Sequence, residues 1–274
     1  KGKKKDGNNY AEESLRQGAS YCIVSKKIKN INKNKSIRVK NTNIFLNRLA
    51  ELKRETSDAK IIAITGSSGK TTLKTVLGNV LSIYGETYFS PKSYNNHFGV
   101  PLSLSNLEQS HKFGVFEVGM SRPGEIKRLS NMVKPEIAVI TNIAEAHIEN
   151  FKNLRGIAKA KSEIINNIQE NGTLILNRDD KFYNYLNKNA KKKNINTVSF
   201  GLSKNSDVHL VKTIKQKRHK LVIIKAFEKK IILKINSINI YNILSSIAVI
   251  KCLKLDIQKI SNLKYRFNSL KGRG

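Results

Sequence analysis

A chain of 274 residues, 39% of them hydrophobic, is long enough for a sizeable core in one large domain or two smaller ones, which excludes a disordered segment. No apolar run is long enough to span a bilayer, and no signal-type apolar segment follows the basic stretch Lys1–Lys5, so the chain reads as a soluble, cytoplasmic protein with no membrane insertion. Lys and Arg outnumber Asp and Glu by 51 to 20, for a formal charge of +31, but the excess is mostly Lys, is spread along the chain with Asn and Ile, and lacks zinc-finger spacing or aromatic–basic interleaving, so it reads as compositional drift toward AT-rich codons with no nucleic-acid partner.

In chain order, Lys1–Tyr10 is polar, Ala19–Ser25 predicts a short strand and Lys26–Ser36 a Lys/Asn loop. Thr42–Leu52 predicts a helix with Ile44, Phe45, Leu49 and Leu52 apolar, followed by a polar linker at Arg54–Lys60. This is too little apolar material for an independent domain and reads as the remnant of one. Lys60–Thr65, KIIAIT, is a β-branched run bounded by Gly66, the pattern of a buried parallel strand. Leu73, Val76, Leu77, Val80, Leu81 and Tyr84 then recur at helical spacing, with Gly85 placed for a C-terminal cap. Between strand and helix lies Gly66-Ser67-Ser68-Gly69-Lys70-Thr71-Thr72.

That strand–loop–helix unit is a device for holding phosphate. Glycines let backbone N–H groups approach the oxygens, and the helix N-terminus adds partial positive charge. Lys70 can reach β- and γ-phosphates, and the Thr71 hydroxyl can bind Mg²⁺. The general pattern G-x-x-x-x-G-K-[ST] has Gly where this chain has Ile64. Phe113–Val118 predicts a second strand, ending at Glu117, where a metal ligand belongs. Glu136–Ile143 predicts a third, followed by His147, and 174–176 and 197–200 continue the alternation. The expected fold is α/β, a doubly wound, mostly parallel sheet with a phosphate loop. A helix over Leu154–Gln169 carries an apolar stripe of Leu154, Ile157, Ala158, Ile164, Ile165 and Ile168, with Lys161 inside it. Lys161 either snorkels, stem buried and ammonium in water, or is desolvated with a lowered pKa. Cys22 and Cys252 lack metal-ligand spacing and read as reduced structural thiols.

Together these residues resemble the Mur ligase family. The ordered motifs are ITGSSGKTTLK at Ile64–Lys74, YNNHFGVPLSL at Tyr94–Leu104, EVGMSRPGEIKRL at Glu117–Leu129, ITNIAEAHIENF at Ile140–Phe151, IAKAKSEI at Ile157–Ile164 and LNRDD at Leu176–Asp180. A phosphate loop without Gly at position 64 is normal for that family. The NN-x-x-GVPL and GEI segments point to its branch that joins D-alanyl-D-alanine to UDP-N-acetylmuramoyl-tripeptide. The resemblance implies ATP-dependent amide formation through an acyl phosphate. It implies Gly66, Ser67, Ser68, Gly69, Lys70, Thr71, Thr72, Asn239 and Arg273 as ATP-binding. It implies two Mg²⁺ sites, with Thr71 and Glu117 at the first and His147 and Lys161 at the second. Lys161 would carry CO₂ as a carbamate, and Lys70, Lys161 and His147 would be catalytic. Ser93, Asn95 and Asn96 would contact the muramoyl substrate. The family has Gly and His shortly before its adenine-reading Asn, whereas Asn236, Ser237 and Ile238 precede Asn239 here. The resemblance further implies residues 1–58 as part of a small α/β UDP-substrate-binding domain and 59–274 as the central ATP-binding domain. A C-terminal domain is not expected within this chain, which would leave it a fragment, inactive alone and monomeric. The alternatives are a sibling ligase with another acceptor, or a basic nucleic-acid-binding module with a nonfunctional loop.

Overall fold

The computed structural model describes residues 6–29, 31–146, 148–217, 219–236 and 238–261. The first elements form a small unit: α1 (Ala11–Arg16), β1 (Cys22–Val24) and β2 (Ser36–Arg38), with β1 and β2 paired in parallel. Ala11, Cys22 and Val24 are its buried core. The Cys22 thiol is free and donates to the Ala11 carbonyl at 3.3 Å.

α2 (Thr42–Glu55) follows, capped by Asn41, whose side chain accepts from the amides of Asn43 and Ile44. It runs longer than expected, so Arg54 belongs to the helix and not to a linker. Its buried residue is Ala50, while Ile44 and Leu52 stay 68% and 50% exposed, so the expected apolar face is only partly covered. Arg54 fastens the helix end to the sheet, donating to the carbonyls of Val133 (2.8 Å) and Lys134 (2.7 Å) and lying 3.6 Å from Glu136.

The rest alternates strand and helix: β3 (Lys60–Thr65), α3 (Lys70–Leu81), β4 (Thr87–Phe89), α4 (Gly99–Ser105), β5 (Phe113–Glu117), α5 (Glu125–Val133), β6 (Ile137–Ile140), α6 (Leu154–Ser162), β7 (Thr173–Asn177), α7 (Tyr183–Lys191) and β8 (Asn196–Gly201). Then come β9 (Val208–Lys215), β10 (Lys220–Ala226), β11 (Lys229–Ile235), α8 (Ile240–Cys252) and α9 (Gln258–Ser261). The strands form one sheet in the order β11-β10-β9-β8-β7-β6-β3-β5-β4, parallel from β4 to β9 and antiparallel from β9 to β11. The expected doubly wound, mostly parallel fold is therefore present, with an antiparallel extension at one edge.

Both faces of the sheet are covered, which is why β3 reads as a continuous apolar run. Ile62 and Ile64 point into one core with α3 and α8, and Ile61 and Ala63 into the other with α2, α4, α5, α6 and α7. Each fully buried Ile contributes roughly 1.5–3 kcal/mol relative to exposure. Chain order departs from β3 in both directions, toward β5 and β4 on one side and β6 on the other. That makes the C-terminal end of β3 a topological switch point, where ligands of open α/β sheets bind.

Two local expectations are corrected. α3 ends at Leu81 with Ser82 as a right-handed C-cap, so Gly85 is not a left-handed cap. Gly85 instead leaves room for Lys112, whose side chain would lie 2.4 Å from an added Cβ. The helix expected to reach Gln169 ends at Ser162 and tightens into a 3₁₀ turn over Glu163–Asn167.

Candidate active site

The phosphate loop is built against the segment after β6. Gly66 has φ +147°, and a Cβ there would sit 1.8 Å from the Thr141 hydroxyl, so both backbone shape and space require Gly. Thr141 donates to the Ser68 carbonyl at 2.6 Å. Asn142 accepts from the Ser68 amide at 3.0 Å and donates to the Ser68 hydroxyl at 2.7 Å. Ser67 donates to the Ala144 carbonyl (2.8 Å) and accepts from the Ala144 amide (2.9 Å). The strand expected to run to Ile143 therefore stops at Ile140, because its continuation wraps the loop. Gly69, at φ +80°, is the N-cap of α3 and brings Lys70 onto the first turn.

Lys70 is largely buried and its ammonium donates to the Gly66 carbonyl at 2.7 Å. Burial lowers its pKa, opposed by the nearby charge of Glu117. Thr71 donates to a carboxylate oxygen of Glu117 at 2.9 Å and lies 2.8 Å from the Ser93 hydroxyl. The second Glu117 oxygen accepts from Asn95 at 2.7 Å. Glu117 is 2% exposed, at the end of β5 beside β3, as its place in the sequence predicts. A hydroxyl, a carboxylate and an amide carbonyl are hard oxygen donors of the kind Mg²⁺ takes alongside phosphate oxygens.

Lys161 settles the choice posed by its helix face. It is 4% exposed and has no hydrogen-bond partner among the described residues, so it is desolvated and does not snorkel. Burial first, and the charge of Lys70 second, bring its pKa from 10.5 to about 7. A near-neutral amine thus faces the same site as the phosphate loop.

Two cavities meet there. One, of about 710 Å³, is lined by the loop from Ser67 to Thr72 and by Asn142, Asp179, Asn239, Tyr241 and Asn242. The other, of about 340 Å³, is lined by Gly66, Lys70, Asn95, Asn96, His97, Arg128 and Lys161. Ser67 and Lys70 line both and form the wall between them. Asn239 caps α8, accepting from the Tyr241 amide at 2.9 Å. His147 and Arg273 lie outside the described residues. Among the described residues no cluster of three His, Cys, Asp or Glu side chains forms.

Sequence reasoning missed Thr141, Asn142, Asp179 and Tyr241. The rule that sites form past the strand C-termini could have found the first two. Tyr241 lies 3.2 Å from Asp179 across 62 positions of sequence, which no local pattern announces. Lys74, fully buried on α3, was also missed.

The Mur ligase middle domain matches residues 64–250, more than half of the chain. The chain belongs to the Mur ligase family. Among curated relatives, UDP-N-acetylmuramoyl-tripeptide–D-alanyl-D-alanine ligase of Rickettsia prowazekii is 38% identical over 78% of this chain and 49% of its own length. The enzyme of the same name from Buchnera aphidicola subsp. Baizongia pistaciae is 37% identical over 76% of this chain and 45% of its own length. Among solved structures, MurF from Acinetobacter baumannii superposes with a TM-score of 0.81 at 28% identity, covering 96% of this chain and 59% of that one. MurF ligase from Thermotoga maritima, in complex with ADP, gives 0.79 at 30% identity, covering 96% and 62%. The chain spans about half the length of the curated relatives it matches. Of the site residues named from sequence, Ser67, Ser68, Gly69, Lys70, Thr71, Thr72 and Asn239 line the larger cavity and Gly66, Asn95, Asn96 and Lys161 the smaller one.

Proposed function

We propose that this Mur ligase chain is the ATP-binding, carboxylate-activating part of a ligase that joins D-alanyl-D-alanine to UDP-N-acetylmuramoyl-tripeptide. The observation that carries the reading is the shared wall: Ser67 and Lys70 face a nucleotide-sized cavity on one side and a smaller polar cavity on the other. ATP in the first places its terminal phosphate at the opening to the second. The substrate carboxylate in the second attacks the γ-phosphorus, forming the acyl phosphate and leaving ADP. The amine of D-alanyl-D-alanine then attacks the acyl carbon, and phosphate departs with the C–O bond electrons. A carboxylate is a poor electrophile, and phosphorylation supplies its leaving group.

Lys70 offsets negative charge on the transferring phosphoryl group. Thr71 and Glu117 would hold one Mg²⁺, which neutralises crowded phosphate charge. Asn95 fixes the rotation of the Glu117 carboxylate. Lys161, near neutral at physiological pH, has the free electron pair needed to bind CO₂ as a carbamate, and with His147 it would serve a second Mg²⁺. Asn239 and Arg273 complete the nucleotide contacts in this reading, and Ser93, Asn95 and Asn96 those to the muramoyl substrate. Residues 1–58 fit part of a UDP-substrate-binding unit and 59–274 the central ATP-binding domain, in a cytoplasmic, monomeric enzyme. No helix among the described residues is long and apolar enough to cross a membrane.

The test is ADP release by the protein expressed from the complete reading frame that encodes this chain. Release is expected only with both the tripeptide precursor and D-alanyl-D-alanine present, and turnover indifferent to either one sinks the reading. A ¹³C carbamate resonance from labelled bicarbonate, absent from Lys161→Met, checks the lysine assignment separately.

A further inference from the structure

α3 presents the phosphate loop at its first turn and carries a second lysine one turn later. Lys74 is 0% exposed and lies on the buried side of the helix with Leu77, Gly78 and Leu81. Its ammonium donates to the Ser90 carbonyl (2.6 Å), the Ser90 hydroxyl (3.1 Å) and the Lys92 carbonyl (2.7 Å). An ammonium has three protons to donate, and oxygens of the 90–92 segment receive them. Burying this charge among apolar neighbours costs free energy unless such partners meet it, so the arrangement is a specific one.

The approach is built into the sequence. At Gly78, one turn beyond Lys74, an added Cβ would lie 2.3 Å from the Phe89 ring, so only Gly lets the end of β4 rest on the helix. Pro91 stands between the two anchored carbonyls and has no N–H of its own to offer. Beyond the anchor the segment makes three contacts with the site. Ser93 lies 2.8 Å from the Thr71 hydroxyl, Asn95 donates to Glu117 at 2.7 Å, and the Asn95 carbonyl accepts from the Gly119 amide at 2.8 Å.

We infer that Lys74 is a positioning residue, which anchors segment 90–96 to the nucleotide helix so that Ser93 and Asn95 hold Thr71 and Glu117 in register for the metal. It touches no reacting group and acts only through that segment. What the metal does there rests on the proposed ligase function, whereas the anchoring stands on geometry alone.

The experiment compares Lys74→Met with the wild-type protein by amide hydrogen exchange over residues 92–96, by ADP binding in a Mg²⁺ series, and by kcat and KM in the ligase assay. Losing all three bonds is expected to speed exchange at residues 93, 95 and 96 by about tenfold. The Mg²⁺ concentration for half-maximal effect is expected to rise by a similar factor of about ten. kcat should fall more than the KM for ATP rises. Ser90→Ala removes the hydroxyl that receives from Lys74 and itself donates to the Lys92 carbonyl, without touching the helix, and it should shift exchange and Mg²⁺ dependence in the same direction by about threefold. A folded Lys74→Met with wild-type exchange and wild-type Mg²⁺ dependence overturns the inference. If Lys74→Met does not fold, Ser90→Ala decides, and wild-type behaviour in it overturns the inference. Absence of ligase activity in the wild-type protein would refute the functional reading alone, since exchange and Mg²⁺-dependent binding still report on Lys74.

Discussion

Two lysines are buried on helix faces that flank one site, and they could hardly be placed more differently. Around Lys74, three oxygens of a neighbouring segment receive the ammonium protons. Lys161 has no hydrogen-bond partner among the described residues, and burial and the charge of Lys70 bring its pKa to about 7. Burial is common to both, so burial does not distinguish a structural lysine from a reactive one. The partner set does: satisfied protons make an anchor, and unsatisfied ones make a group that gives its proton up.

The comparison breaks most sharply on activity. Lys161→Ala is expected to lower ADP formation at least about a hundredfold, read in the coupled assay with both substrates present. Wild-type turnover in that variant would remove Lys161 from the reaction. On stability, the same replacement should act with opposite sign at the two sites. An ammonium whose pKa falls from 10.5 in the unfolded chain to about 7 in the fold opposes folding in full below pH 7. The opposition fades as pH rises from 7 to 10.5, where the folded protein has already lost the proton that the unfolded chain still holds. Lys161→Met should therefore stabilise the protein, by ~2–4 kcal/mol at pH 7, and the gap to wild type should close toward pH 10, read by denaturant melts across pH. Lys74→Met takes the ammonium away from the Ser90 carbonyl, while the Lys92 carbonyl keeps the Tyr94 amide and the Ser90 hydroxyl, and should destabilise by about 2 kcal/mol in the same melts. Two variants shifted the same way would show that the partner sets are not what separates these lysines. The smallest effect is expected at Asn239→Ala, about 1 kcal/mol from the lost cap of α8, accompanied by weaker ADP binding in calorimetry.

Much of this contrast was legible in the sequence, but only on one side. Lys161 stands among isoleucines at helical spacing, so its oddity shows on a helical projection. Lys74 also sits on an apolar face, yet its partners, two backbone oxygens and one serine hydroxyl, lie 16 and 18 positions away, a separation that no local pattern announces. The central strands were readable because both faces of β3, β5 and β6 are covered, so their apolar runs are continuous. Their ends were not: Thr141–Ile143 continues the β6 pattern but turns aside to grip Ser67 and Ser68. Gly85 looked like a helix cap and is in fact a space-maker for Lys112. β9–β11, with Lys and Ile mixed through them, were not anticipated. The loop, Thr71 and Glu117 were found because phosphate chemistry fixes their spacing relative to a strand, whereas the residues closing the nucleotide cavity come from separate elements.

The guanidinium of Arg54 has a mechanical consequence. It grips Val133, Lys134 and Glu136, and the Glu136 carboxylate in turn receives the Ile61 amide at 2.8 Å. α2 is thereby riveted to the base of β3 and β6, at the opposite end of the strands from the phosphate loop. Any swing of the β1–β2 unit toward or away from the sheet then has its pivot ahead of the Asn41 cap, because α2 travels with the sheet as a fixed strut.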